Sequence, residues 1–256
     1  MIDKTAIIHP SARIADNVEV GPWSMIGANV EIGEGTWIGP HVVIKGSTKI
    51  GKDNKIYQFS SIGEDPQDKK FNGEQTFLEI GDRNVIREFC TFNRGTAQDN
   101  SMTKIGNDNL FMAYVHIAHD CVVGNHTIFA NNASLAGHVK VEDFVILSGF
   151  SGIYQGCRVG MHSFASMGSL VDKDIPPFVK VSGYYAKPFG LNTVGMKRRG
   201  FSDITMLLLR RAYKIIYRQG LTAKEAVASL QTMLADCPDV QLFIDFLQCS
   251  ERGIVR

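Results

Sequence analysis

Branched aliphatic residues recur at every sixth position from the start of the chain: Ile2, Ile8, Ile14, Val20, Ile26, Ile32, Ile38, Ile44, Ile50, Ile56 and Ile62. The phase resumes at Ile80 and Ile86, then slips by one residue. It runs again from Ile105 through Phe111, Ile117, Val123, Phe129, Leu135, Val141, Leu147, Ile153, Val159, Ala165 and Val171. A period of six fits neither the alternation of a strand nor the turn of a helix. It is the spacing of a parallel β-helix, whose short strands wrap round a shared interior. The branched residue faces inward. Four positions later stands a small or modest residue, as at Ala12, Ser24, Thr36, Thr48 and Ser60, which fits the space left at a corner. Gly often follows the branched residue, where the turn needs backbone freedom.

Three hexads complete one coil, so residues 18 apart should lie one above the other, separated by about 4.8 Å. Two polar, charged stretches interrupt the rhythm, at about 64–79 and 93–104, and read as loops leaving the regular body. After Asp172 the pattern ends at Pro176 and Pro177, which cannot continue a ladder. A Gly- and Tyr-containing connector leads to Gly200. Beyond it the spacing turns helical. Ser202 should cap a helix carrying Ile204, Leu207, Leu208, Tyr213 and Ile216. Thr222 should cap a second, from Ala223 to Ala235. Pro238 and Asp239 should open a third, with Val240, Phe243, Phe246 and Leu247 on one face. The chain thus divides into an all-β parallel β-helix over 1–190 and a C-terminal α-helical domain over 191–256.

Composition narrows the class of function. Lys and Arg number 27 against 26 Asp and Glu, a net charge of +1, which argues against nucleic acid or an anionic membrane as the main partner. Met1 to Lys4 lacks the basic-then-apolar pattern of a signal peptide, and no uncharged run is unbroken enough to span a membrane. The five cysteines are scattered without a CxxC pair, which suits the reducing cytoplasm. Cys121 and Cys157 fall two coils apart on one column, too far for a disulfide.

The 18-residue arithmetic also gathers candidate chemistry. His119, Gly137 and Gln155 form one column, and Asp120, His138 and Gly156 the column beside it. His116 lies three residues before His119. A neutral His119 could take a proton from an attacking alcohol and return it to a leaving thiolate, with an ordinary His pKa near about 6.5 suiting both steps. Asp120 or a backbone carbonyl could fix its tautomer. The Gly137 amide could donate to an oxyanion, because Gly allows close approach. The cluster therefore suits acyl transfer to a hydroxyl.

Motifs along nearly the whole chain carry a family resemblance. Ala113-Tyr-Val-His-Ile-Ala-His-Asp-Cys-Val-Val-Gly-Asn and Ala130-Asn-Asn-Ala-Ser-Leu-Ala-Gly-His-Val resemble the acyl-acyl-carrier-protein–UDP-N-acetylglucosamine O-acyltransferases of lipid A synthesis. So do Ile62-Gly-Glu-Asp-Pro-Gln-Asp, Asn93-Arg-Gly-Thr, Pro188-Phe-Gly-Leu-Asn and Lys197-Arg-Arg-Gly-Phe. The resemblance implies a left-handed coil and a homotrimer with sites between subunits. It implies no cofactor on the enzyme and no metal, since the acyl carrier protein brings its own phosphopantetheine. His119 resembles the general base, Gly137 the oxyanion amide and His116 a second active-site histidine. Asp68, Lys70, His138 and Gln155 resemble residues holding sugar and phosphate. Asn192, Arg198 and Arg199 resemble contacts to the uridine diphosphate, where the planar Arg fork suits phosphate.

Three positions depart from the pattern. Tyr154 stands where His often precedes the Gln, and Val194 replaces an acidic residue. Met167 stands where long-chain members have Gly on the channel floor, so a shorter hydroxyacyl donor is expected. Seven basic residues between Lys197 and Arg218, against the single acid Asp203, form a field that could steer an acidic carrier protein. Other readings fit less well. A γ-type carbonic anhydrase would need a His-x4-His pair. The N-acyltransferases of the same pathway carry an added N-terminal domain, whereas hexads here begin at Ile2. A CoA-dependent acetyltransferase would not call for the long first loop and basic C-terminal unit. A non-enzymatic solenoid would show repetitive outward rows.

Overall fold

The computed structural model describes residues 1–256. Its strands form three sheets of nine, eight and ten strands, the faces of a three-sided coil, parallel except where the last two strands of the ten-stranded sheet fold back as an antiparallel hairpin. Pairing follows the arithmetic: Ile26 sits on Ile44, Ile44 on Ile62, and Ile117 on Leu135. From Val20 onward the hexad residues are the interior, with Ile38, Ile44, Ile56, Ile62, Phe111 and Phe129 fully buried, whereas Ile2 at the open first coil is exposed. The coil is the left-handed β-helix.

The two loops enter as insertions that leave the coil in register. Ile62 pairs with Phe92 and Phe92 with Ile117, so the interior row crosses both loops unbroken. The excursions are shorter than the loss of rhythm suggests. Phe77–Ile80 and Met102–Ile105 are strands, so the irregular segments are 65–76 and 94–101. Their inward residues are Leu78 and Ile80, and Thr103 and Ile105, while Phe77, Glu79, Met102 and Lys104 face outward. One inner corner carries a polar ladder: Asn84 N–H donates to Asn54 Oδ1 at 2.9 Å, Asn109 N–H to Asn84 Oδ1 at 3.0 Å and Thr127 N–H to Asn109 Oδ1 at 2.7 Å. Each buried amide thereby finds its partners one coil away. Cys90, Cys121 and Cys157 are free inward-packing residues, their thiols pushed up to about 12 by burial.

The last coil is closed by a hairpin, Val179–Gly183 with Ala186–Leu191, and by four helices. These are α1 (Thr193–Arg198), α2 (Asp203–Arg218), α3 (Ala223–Gln231) and α4 (Val240–Cys249). The connector conceals α1, which the spacing did not reveal because Gly195 interrupts a single turn and a half. Ser202 and Thr222 cap α2 and α3 as expected, the latter in a capping box with Glu225. Helix α3 ends at Gln231, short of Ala235, where turns take over. On α2 the buried face is Met206, Leu209, Ala212, Tyr213, Ile215 and Ile216, whereas Ile204 and Leu207 face solvent. On α4 Val240, Phe243, Phe246 and Leu247 are buried as expected. Phe178 of the last coil meets Phe243 at 5.6 Å between ring centroids, so the helices finish the same apolar core. No helix is long and apolar enough to cross a membrane.

Candidate active site

His119 and Asp120 occupy a corner of the coil, where the chain passes through the left-handed region at Asp120 (φ 59°). That turn defeats the usual strand rule that neighbouring side chains face opposite ways. The Asp120 carboxylate therefore reaches back to His119, with Nδ1 at 2.9 Å from Oδ2. An ionised carboxylate only accepts, so Nδ1 carries the proton and Nε2 holds the free lone pair. One coil on, Gly137 lies under the ring: a Cβ there would stand 2.6 Å from Cε1 and 2.7 Å from Nε2 of His119. Gly137 is required by this close approach. Its N–H has no acceptor within the chain.

His138 N–H donates to His119 O, and Gly156 N–H to Gly137 O, each at 3.0 Å, so both columns stack as counted. The His138 ring meets the His119 ring edge-on at 5.0 Å, and its Nδ1 lies 2.8 Å from Asp99 Oδ2. His116 stands on the strand before, its Nδ1 2.7 Å from Thr91 Oγ1. Burial, and then the nearby His119, lower the His116 pKa, so it is neutral at physiological pH. Gln155 is exposed at the top of the column. Donor atoms of His119, Asp120 and His138 all lie within 4.8 Å of one another, the one grouping that could hold a metal ion. Both histidine Nδ1 atoms in it are already engaged by carboxylates.

Counting did not reveal Thr96 and Asp99, which come from the second excursion loop. Thr96 donates to both Asp120 oxygens, and Asp99 engages His138. Nor did it reveal Arg94, a buried guanidinium that donates to Gly63 O at 2.6 Å and pairs with Asp65, tying the second loop to the first. The Asn93-Arg-Gly-Thr motif was the available signal. Asp68 and Lys70 lie on the first loop, where Lys70 N–H donates to Asp68 Oδ1 at 3.0 Å. Neither touches the histidine cluster within the protomer.

A separate cavity of about 420 Å³ lies where the last coils meet α1, lined by Asn192, Val194, Arg198, Arg199, Lys180 and Phe164 among others. Arg198 is exposed. Arg199 is held: it donates to Phe144 O at 2.9 Å and lies over the Phe144 ring at 5.2 Å, and burial lowers its pKa. The Asn192 amide is committed as well, giving Nδ2–H to His162 O at 3.0 Å and accepting from Gly195 N–H at 3.1 Å. Met167 is 71% exposed, its Cε 3.4 Å from where a Cβ on Gly149 would stand. Tyr154 is also exposed, with Arg252 above its ring.

Comparison with known proteins decides the family. The chain is 61% identical to the acyl-[acyl-carrier-protein]–UDP-N-acetylglucosamine O-acyltransferase of Thiobacillus denitrificans, over all of this chain and 99% of that one. It belongs to this O-acyltransferase family. The Pseudomonas aeruginosa enzyme is 58% identical, again over all of this chain and 99% of its own. Family models match the bacterial transferase hexapeptide at 29–63 and 102–137, and domain 2 of UDP-N-acetylglucosamine O-acyltransferase at 174–255. Among solved structures, LpxA from Acinetobacter baumannii superposes with a TM-score of 0.98 at 52% identity, covering all of this chain and 99% of its own. The UDP-N-acetylglucosamine O-acyltransferase of Moraxella catarrhalis also gives 0.98, at 49% identity and the same coverage. The chain is an acyltransferase of the hexapeptide-repeat class, and its two halves, coil and helices, both follow the family.

Proposed function

We propose that this O-acyltransferase moves an (R)-3-hydroxyacyl group from acyl carrier protein to the 3-hydroxyl of UDP-N-acetylglucosamine, the first step of lipid A biosynthesis. The observation that carries the chemistry is the orientation of His119, with Nδ1 tied to Asp120 and Nε2 left facing the Gly137 corner. Nε2 takes the proton of the sugar hydroxyl as its oxygen attacks the thioester carbonyl. The oxyanion meets the unpaired Gly137 N–H, and collapse expels the phosphopantetheine thiolate, which recovers the proton from Nε2. No cofactor or metal takes part. His116, neutral and pinned by Thr91, lines the site, and His138 and Gln155 offer donors for sugar and phosphate.

The nucleotide is assigned to the cavity beside α1. Arg198 supplies the free guanidinium there, while Arg199 and Asn192 shape the wall through their fixed bonds. Val194 contributes apolar surface where an acid would accept a hydrogen bond. Asp68 and Lys70 complete a site only if a second copy presents its first loop. This supports a homotrimer with sites between subunits. A row of exposed aromatics along one corner, Trp23, Phe59, Phe89, Tyr114 and Phe150, supports association too. On α2, Arg210, Arg211, Lys214 and Arg218 are exposed with no carboxylate partner, beside the exposed Ile204 and Leu207. That face suits an acidic carrier protein. Met167 sets a shorter acyl chain than Gly would. The division at residue 190 separates the coil, which carries the histidine site, from the helical unit, and the reducing cytoplasm is the assigned compartment.

The test is product mass spectrometry with UDP-N-acetylglucosamine and a series of 3-hydroxyacyl carrier-protein donors. The expected product is a 3-O-acylated sugar nucleotide, formed best from shorter donors and lowered by about 10²–10⁴-fold in His119→Ala. No product from any donor with folded protein would overturn the assignment.

A further inference from the structure

We propose that Thr96, on the second excursion loop, is a positioning residue for the His119–Asp120 pair. This rests on the general-base reading above. Asp120 is 3% exposed, and no Lys or Arg pairs with it; its ionic neighbours are His119 and, at 3.9 Å, His138. A buried carboxylate in that setting depends on neutral donors. Thr96 supplies two: its N–H to Oδ1 at 2.9 Å and its hydroxyl to Oδ2 at 2.6 Å. Asp120 is anchored from its other side as well, since its own N–H donates to Thr103 Oγ1 at 2.8 Å.

Thr96 is itself held firmly. Its carbonyl accepts from Asp99 N–H at 3.2 Å and Ser101 N–H at 3.1 Å, closing the loop around it. Gly95 just before it has no room for a side chain, because a Cβ would lie 2.1 Å from Met102 N. The loop is thus drawn tight against the corner that carries Asp120. The Thr96 hydroxyl and His119 Nδ1 share one oxygen, Oδ2. The hydroxyl therefore spends part of that oxygen's charge, which would otherwise favour a protonated imidazole. Groups facing His119 are Asp120, the His138 ring with Asp99 behind it, and His116 on the preceding strand; replacing Thr96 leaves all of them in place.

The experiment is the pH profile of kcat/KM for the full chain, Thr96→Val and Thr96→Ser, with thermal unfolding as the check on folding. In Thr96→Val the acidic limb should move to higher pH by about half a unit or more, the share of one neutral hydrogen bond. Thr96→Ser should restore it. A folded Thr96→Val whose limb coincides with wild type overturns the proposal, even if its rate is lower, because a purely structural role lowers rate without moving the limb. If Thr96→Val loses its folded baseline, Thr96→Ala is read the same way. His119→Ala separates the two readings. Full activity in that variant removes the general base itself, whereas an inactive His119→Ala beside an unmoved Thr96→Val limb removes only the role of Thr96.

Discussion

His162 should make the protein unusually sensitive to mild acid. Its ring is 7% exposed and stacked between Phe144 and Phe178, at centroid distances of 4.9 Å and 5.4 Å. Its Nδ1 is buried without a partner. Burial, and then the charge of Arg199, lower its pKa from 6.5 to about 4. The unfolded chain therefore binds a proton near pH 6.5 that the folded chain refuses until about pH 4. Stability from keeping this ring neutral is complete above that upper value and is lost as pH falls through the window. Between pH 7 and pH 4.5 the loss from this one group works out at about 2 kcal/mol. His162→Phe keeps the aromatic stack and removes the titration. Urea unfolding of wild type and variant at both pH values gives a double difference in which every other titrating group cancels. That difference should be about 2 kcal/mol in favour of the variant at the lower pH. A value below about 0.5 kcal/mol would refute the reasoning, because it would mean that the buried ring takes up its proton at no cost.

Gly137→Ala should lower kcat by about 10²-fold while leaving the fold intact, since its methyl group displaces the His119 ring; turnover and circular dichroism together check this. Asn84→Ala breaks the inner ladder at three hydrogen bonds, with Asn54, Gly106 and Asn109, and should cost about 2–4 kcal/mol in denaturant unfolding. Met167→Gly should shift donor preference toward longer acyl chains in a competition assay, and an unchanged preference removes Met167 from chain selection. Charge reversal at Arg210 and Arg211 should raise KM for the carrier-protein donor several-fold at low salt, with the effect shrinking as salt rises. KM for the sugar nucleotide should stay unchanged.

The β-helix makes tertiary neighbours a matter of counting. Each coil returns the chain to the same edge after 18 residues, so the columns His119–Gly137 and Asp120–His138 could be read along one dimension, as could the inward Ile and Val rows. A corner turn is different: whether Asp120 reached His119 depended on its left-handed φ, which spacing alone does not determine. The excursion loops lie outside the repeat, so Thr96, Asp99 and Arg94 joined the site only through the folded path of their backbone. At the C-terminal end the same limit applies. Helical period located α2 and its cap, but the face it buries was set by what it packs against, leaving Ile204 and Leu207 outside. Asn192 and Arg199 carried the right chemistry for a ligand, and the fold spent much of it on His162 O, Gly195 N–H and Phe144 O. Sequence determined what local periodicity repeats; structure decided whatever depended on a contact between segments with no common period.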